Sequence, residues 1–331
     1  MALTVPGRLA VEEQSQVATV RRAASSMAAG LGLSEQLQAE AAIVATEMAT
    51  NLLRHAGGGE VILRPSEIFP DVMEVIAWDR GPGMSDVAGS RRDGFSTAGG
   101  AGTGLGAIGR LSSTFDLQST PGRGTVLAAR IGAVDAPPPV DGIVLAMRGE
   151  EASGDAWRHI RDGRYLTIVL ADGLGHGVDA ARASRAATSE LAPNATPDTL
   201  LERMHRALRP TRGAAAAVAR VDLATGALRF AGVGNISASI VSGGTTRSLV
   251  SMNGTLGHNV RRIQGFDHEL APDGLLVMHS DGVTGNWDLR AHPGLTRRDP
   301  LVLASVLVRD CERGRDDVSV VVARGRAEAP A

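Results

Sequence analysis

Apolar positions recur at helical spacing twice near the start of the chain: Val17, Val20, Ala24, Met27 and Leu31, then Leu37, Ala41, Val44, Met48 and Leu52 behind the cap candidate Ser34. Two amphipathic helices are predicted, the second ended by Gly57-Gly58-Gly59. The period then shortens. Strands are predicted over 60–64 and 72–78, a short helix over 107–111, and strands over 115–119 and 125–131 around the hairpin turn Pro121-Gly122-Arg123-Gly124. The pattern predicts two or three helices over a mixed, mainly antiparallel sheet.

From Gly132 to Asp141, with Pro137-Pro138-Pro139, both periods break. This reads as a linker over 132–140, between one domain over 1–131 and a second over 141–325, with a tail at 326–331. Strands dominate the second half, at 142–147, 165–170, 215–222, 228–233, 237–241 and 275–279, with helical runs at 178–191, 199–208 and 300–311. Strands with a helical pair inserted early predict a sheet-on-sheet core flanked by helices. The fold class expected is therefore α+β in two domains.

Composition narrows the chemistry. A length of 331 residues suits two domains, each long enough to bury a core. Net charge −2 and a pI near 6.5 give no global attraction to nucleic acid or to an anionic membrane, which leaves small molecules or proteins as partners. The single cysteine, Cys311, cannot close an internal disulfide, as suits a reducing compartment. No run reaches the length of a membrane span and residues 1–14 lack a leader pattern, so a cytoplasmic location is expected. All 34 basic residues are arginine, which excludes a P-loop lysine, a eukaryote-type kinase lysine and Schiff-base chemistry.

The stretch from Asp79 to Gly106 carries the first candidate chemistry. Asp79 follows the apolar run Val75-Ile76-Ala77-Trp78 and precedes two glycine clusters. Its carboxylate can accept from a base amine, and the glycines let backbone N–H groups approach phosphates. Gly104-Leu105-Gly106-Ala107-Ile108-Gly109 also fits the dinucleotide fingerprint, but no strand precedes it and the next acids are Asp116 and Asp135, so that reading is set aside. On the second helix Glu47, Asn51 and His55 form a column. A carboxylate and an amide one turn apart, about 5.4 Å along the axis, can share a hydrated Mg²⁺ or set a base beside it. Alone, Glu47 reads as part of a solvated face and His55 as a helix C-terminal histidine near the last carbonyls. Asn51 is harder to dismiss, because asparagine is a poor mid-helix residue.

In order and spacing, Glu47-x-x-x-Asn51, Asp79-x-Gly81-x-Gly83, Gly102-x-Gly104-x-Gly106 and Gly124-Thr125 resemble the GHKL (Bergerat) ATPase/kinase fold, an α/β sandwich shared by histidine kinases and gyrase. The short run 94–106 and the compact domain look like the bacterial anti-sigma-factor serine kinases, most of all the RsbT type. The resemblance implies ATP with Mg²⁺ as cofactor. It makes Asp79 the partner of the adenine amine, Asn51 a Mg²⁺ ligand and Glu47 the general base toward a protein hydroxyl, with Gly81, Gly83, Gly102, Gly104, Gly106 and Thr125 lining the nucleotide. Phosphoryl transfer needs mainly positioning and charge neutralisation, so this inventory is sufficient.

Four acids of the second half sit at strand ends among small residues: Asp155, Asp172, Asp281 and Asp316. Any one alone reads as a turn. Together they fit converging carboxylates for hard cations, since oxygen ligation suits Mg²⁺ or Mn²⁺. Gly149-Glu150-x-x-Ser153-Gly154-Asp155 and Ala171-Asp172-Gly173-Leu174-Gly175-His176-Gly177 resemble the metal-dependent PPM serine/threonine phosphatases of the SpoIIE/RsbX branch, a β-sandwich flanked by helices, over about residues 141–325. That resemblance implies two Mn²⁺ or Mg²⁺ held by Asp155, Asp172, the Gly173 carbonyl, Asp281 and Asp316 for in-line attack on phosphorus. It leaves Asp317 as an outer-shell group, His176 as either a leaving-group acid or a polar loop residue, and Gly232-Val233-Gly234-Asn235 without a role.

Both resemblances together imply a kinase–phosphatase fusion acting on STAS-domain proteins, of anti-anti-sigma or stressosome type, in bacterial stress or sigma-factor signalling. They imply no nucleic-acid or membrane partner and leave a homodimer open. The alternative is a phosphatase regulated by a first domain that binds ATP without transferring phosphate, as an anti-sigma or adaptor module.

Overall fold

The computed structural model describes residues 7–86 and 104–325. The chain divides into two compact units, the first comprising Met1–Pro138 with Leu289–Val306 and the second Pro139–Asp288 with Leu307–Ala331. Leu289–Val306, within the second half of the sequence, groups with the first unit. Val140, the last residue of the expected linker, belongs to a strand. Among the described residues no helix is long and apolar enough to cross a membrane.

In the first unit, strand β1 (Gly7–Val11) leads into helices α1 (Gln14–Gly30) and α2 (Glu35–Ala56), followed by β2 (Gly59–Pro65), β3 (Met73–Trp78), α3 (Gly104–Leu111), β4 (Thr114–Ser119) and β5 (Thr125–Ile131). The α2 boundaries follow from local chemistry. Ser34 Oγ accepts from the Leu37 N–H at 3.3 Å, and Gly57 closes the helix at φ +72°. The sheet has the order β1-β2-β3-β5-β4 and every described pairing is antiparallel, which corrects the expectation of a mixed sheet.

Strand alternation separates two faces. Val61, Leu63, Met73, Val75, Ala77, Leu127, Ala129 and Ile131 share one core with Val20, Met27, Val44, Met48 and Leu52 of the helices. The other face carries Ile62, Ile76 and Ala128, also buried, together with Arg64, Glu74 and Arg130. Here Glu74 stands in register between Arg64 and Arg130. Arg64 Nε donates to its carboxylate at 2.7 Å and Arg130 Nε at 3.0 Å. The guanidinium of Arg130 also grips Asp299 with two bonds, of 2.8 and 3.0 Å. Asp299 N–H in turn donates to Asp116 at 2.8 Å, and buried His292 bonds Thr120 at 2.9 Å. The Leu289–Val306 segment therefore has its partners on β4 and β5.

The second unit contains β6 (Val140–Leu145), β7 (Asp155–Asp162), β8 (Tyr165–Gly173), α4 (Val178–Ser189), α5 (Pro197–Ala207), β9 (Ala214–Asp222), β10 (Ala227–Val233), β11 (Ser237–Ser242), β12 (Thr245–Ser248), β13 (Gly265–Glu269), β14 (Leu275–His279) and β15 (Val318–Arg324); α6 (Pro300–Cys311) begins in the Leu289–Val306 segment and ends in the second unit. These strands form two open antiparallel sheets, β13-β10-β9-β8-β7 and β12-β11-β14-β15-β6. Helices α4 and α5 pack on β8 and β9 through small and aliphatic residues, including Ala183, Ala187, Leu200, Leu201 and Met204. The near-continuous apolar sequence of β8, β9 and β15 reflects burial on both faces.

Candidate functional site

Each unit brings its sequence motifs together. In the first, α2 places Glu47 and Asn51, both half-buried, one turn apart. Gly104, at the start of α3, lies directly over them. A Cβ there would come within 3.3 Å of Asn51 Oδ1 and 3.4 Å of Glu47 Oε2. Any larger residue would therefore crowd the pair.

Asp79, at the end of β3, is buried. Its Oδ1 accepts from the Gly81 N–H at 2.7 Å and the Thr125 N–H at 3.3 Å, and its own N–H donates to the Thr125 carbonyl at 2.9 Å. The Asp79, Gly81 and Thr125 boxes thus form one turn-and-strand cluster. Gly81 also rests on Ala56 of α2, the same helix that carries Glu47 and Asn51. Gly83 abuts the Thr120 carbonyl, and Gly106 lies in the first turn of α3. Gly102 lies outside the described residues. His55 is exposed in the last turn of α2.

In the second unit the acids come from four strand ends. Asp155 opens β7 and stands opposite Asp172 of β8 in the antiparallel register. Asp281 follows β14, and Asp316 precedes β15. Close backbone packing draws these ends together. Gly173 N–H donates to the Gly154 carbonyl at 3.0 Å, and Gly154 N–H donates to Asp317 Oδ2 at 2.7 Å. A side chain at Gly173 would strike the Ala180 carbonyl of α4, and one at Gly282 would strike the Asp317 carbonyl. The glycines after Asp172 and Asp281 are therefore steric requirements of this convergence.

The electrostatics follow. Burial, aided by repulsion from Asp317 and Asp316 and opposed by hydrogen bonds from Ser280 and Ser319, pushes the Asp155 carboxyl up to about 7. Burial first, and then the charges of Asp155, Asp281, Asp316 and Asp317, push Asp172 up to about 9. An all-carboxylate set that disfavours its own ionisation is the donor chemistry a hard divalent cation would satisfy. Among the described residues no three His, Cys, Asp or Glu side chains close around a common point tightly enough to be a finished metal cage. Convergence is carried by the backbones and by mutual charge.

Asp317 has its own backbone partners, accepting from Met147 N–H at 2.8 Å and Gly154 N–H at 2.7 Å. Those bonds fit the outer-shell reading. His176 Nδ1 lies 2.7 Å from Glu150 Oε1 on an exposed loop. Two groups had no role in sequence. Asn235 Nδ2 donates to Asp281 Oδ2 at 2.7 Å, and Ser319 Oγ donates to Asp155 Oδ2 at 2.7 Å. The Gly232-Val233-Gly234-Asn235 motif was the only signal for the first, and nothing marked the second.

An antiparallel sheet under two helices with acid and glycine boxes at one end, and a two-sheet body with converging aspartates, define an ATPase-fold domain joined to a PP2C-type phosphatase domain. The model of the histidine kinase-like ATPase domain matches residues 10–131, and that of Stage II sporulation protein E (SpoIIE) matches residues 162–326. Serine/threonine-protein kinase RsbT of Bacillus subtilis (strain 168) is 34% identical over 114 residues, which cover 34% of this chain and 86% of RsbT. Phosphoserine phosphatase RsbX of the same organism is 26% identical over 152 residues, covering 45% of this chain and 75% of RsbX. A solved structure described as "The bacterial stressosome: a modular system that has been adapted to control secondary messenger signaling" is 32% identical with a TM-score of 0.51, covering 56% of this chain and 98% of that one. The chain belongs to the RsbT family of histidine kinase-like ATPase domains, here joined to a SpoIIE-type phosphatase domain.

Proposed function

We propose that this chain both adds phosphate to and removes it from a serine or threonine of a STAS-domain protein, in a cytoplasmic stress or sigma-factor switch. The observation that supports this most is that each unit keeps its acids assembled: Glu47 and Asn51 under Gly104, and Asp155 opposite Asp172 with Asp281 and Asp316 in electrostatic reach. A module that only bound nucleotide would need Asp79 and the glycines but not Glu47.

In the first unit the Asp79 carboxylate, fixed by Gly81 and Thr125, would accept from the adenine amine, and Asn51 would hold Mg²⁺. Glu47 takes the proton of the incoming hydroxyl as its oxygen bonds to the γ-phosphorus and the bond to ADP breaks. In the second unit Asp155, Asp172, the Gly173 carbonyl, Asp281 and Asp316 would hold two Mn²⁺ or Mg²⁺, which supply charge neutralisation and an acidified water. Asn235 and Ser319 aim the carboxylates of Asp281 and Asp155.

The test uses ATP labelled at the γ-phosphate and the STAS protein encoded nearest to this gene. Label is expected to move to the STAS protein and then to appear as inorganic phosphate. Glu47→Ala should keep ATP affinity and lose transfer. Labelling by Glu47→Ala at the parent rate would remove Glu47 as the base. A wild-type chain that strips phosphate but never adds it would leave the first unit as an ATP-binding adaptor.

A further inference from the structure

Among the described residues four large hydrophobic side chains are exposed: Ile43 at 45%, Leu174 at 44%, Val178 at 73% and Val250 at 56%. Single exposed apolar residues are ordinary on a protein surface. Three of the four, all but Val250, are not scattered. Ile43 lies one helical turn before Glu47 on the same column of α2, and Leu174 and Val178 lie two and six residues after Asp172.

Neither fold explains them. Ile43 and Val178 are β-branched residues on helix surfaces, where they cost propensity and stay 45% and 73% exposed. Both sit on held elements: α2 buries Ala42 and Val44 on either side of Ile43, and α4 buries Ala180 and Ala181 just after Val178. The Leu174 N–H donates to the Gly213 carbonyl at 3.1 Å, which pins the backbone while the side chain remains exposed. Between Leu174 and Val178 the His176–Glu150 pair, 2.7 Å apart, braces the loop.

We propose that these residues are the protein-substrate footholds of the two sites, an inference that rests on the bifunctional reading above. The substrate would present an apolar side chain beside its serine or threonine. Because the product of the first site is the substrate of the second, the same apolar feature would be read twice, at Ile43 with Glu47 and at Leu174 and Val178 with Asp172. Small phosphate esters reach the acids without touching either foothold.

The experiment compares wild type with Leu174→Ser, Val178→Ser and Val178→Thr, the last keeping the shape and removing the apolarity. The probes are the phosphorylated STAS protein and p-nitrophenyl phosphate. Each variant is expected to raise KM for the phosphoprotein about tenfold, with kcat and ester hydrolysis unchanged. Ile43→Asn should lower kcat/KM for STAS phosphorylation about tenfold and leave ATP affinity unchanged. Phosphoprotein kinetics equal to wild type in the three Leu174 and Val178 variants, or STAS phosphorylation by Ile43→Asn equal to wild type, would overturn the proposal. So would a parallel loss of ester hydrolysis and phosphoprotein turnover in Val178→Thr, which would make Val178 structural. A wild-type chain that hydrolyses the ester and ignores the phosphoprotein would instead reject the substrate class itself, and the footholds with it.

Discussion

Two buried acidic sites in this molecule are balanced in opposite ways. In the first unit Glu74 lies between Arg64 and Arg130, with Asp299 on the far side of Arg130, so each charge has a counter-charge within hydrogen-bond distance. In the second unit the charges of Asp155, Asp281, Asp316 and Asp317 all bear on Asp172, and hydrogen bonds from Ser319, Asn235, Met147 and Gly154 do not remove the like-charge repulsion. The first arrangement is complete within the chain. On the function proposed here a cation would complete the second, and that difference would separate a structural carboxylate from a working one more clearly than burial does.

The contrast can be broken by neutralising one acid of each kind. Glu74→Gln leaves two buried arginines without their shared partner and should destabilise the first unit by about 3–5 kcal/mol, measured by denaturant unfolding, with ester hydrolysis unaffected below the transition. Asp172→Asn and Asp281→Asn should do the reverse. Each relieves repulsion, so the metal-free protein should melt no lower than wild type, while phosphatase activity falls at least about a hundredfold, beyond the usual loss for an outer-shell change. Equal destabilisation by Glu74→Gln and Asp172→Asn would erase the distinction.

Smaller effects sharpen it. Asn235→Ala frees Asp281 from its donor and should weaken metal affinity about tenfold, read as a shift in the Mn²⁺ concentration that half-activates ester hydrolysis. The pH dependence is smaller still. Native carboxyls raised to about 7 and about 9 bind more protons than unfolded ones near 3.9. The stability of the metal-free protein is therefore full below about pH 4 and declines as pH rises toward 9. Melting temperatures in EDTA should fall from pH 5 to pH 9, and saturating Mn²⁺ should remove most of that fall. A flat profile in EDTA would contradict the clustering of charge.

The same contrast explains what sequence could reveal. The helices were legible because Val17 to Leu31 and Leu37 to Leu52 repeat over long windows, with Ser34 and Gly57 marking the ends. Strands β1, β7, β12 and β13 went unread: each lies at the edge of its sheet, β7 alternates weakly and β12 is exposed throughout. The early start of α3 at Gly104 was hidden by glycines that favour no helix. Acid motifs could be seen locally as Ser-Gly-Asp, Ala-Asp-Gly and Ser-Asp-Gly. Their neutralisation could not, since Arg130 is 169 residues from Asp299, Asn235 is 46 from Asp281 and Ser319 is 164 from Asp155. The claim of Leu289–Val306 by the first unit was invisible for the same reason.

The most direct test of two opposed activities in one chain is a single time course. A limiting amount of ATP is mixed with the STAS protein and either the wild-type chain or Asp172→Asn, in Mg²⁺ and Mn²⁺, and phosphate on the STAS protein is followed. The expected result is a rise and then a fall with wild type, and a rise to a lasting plateau with Asp172→Asn at the same initial rate. Identical decay in both, or no rise in either, would contradict the account.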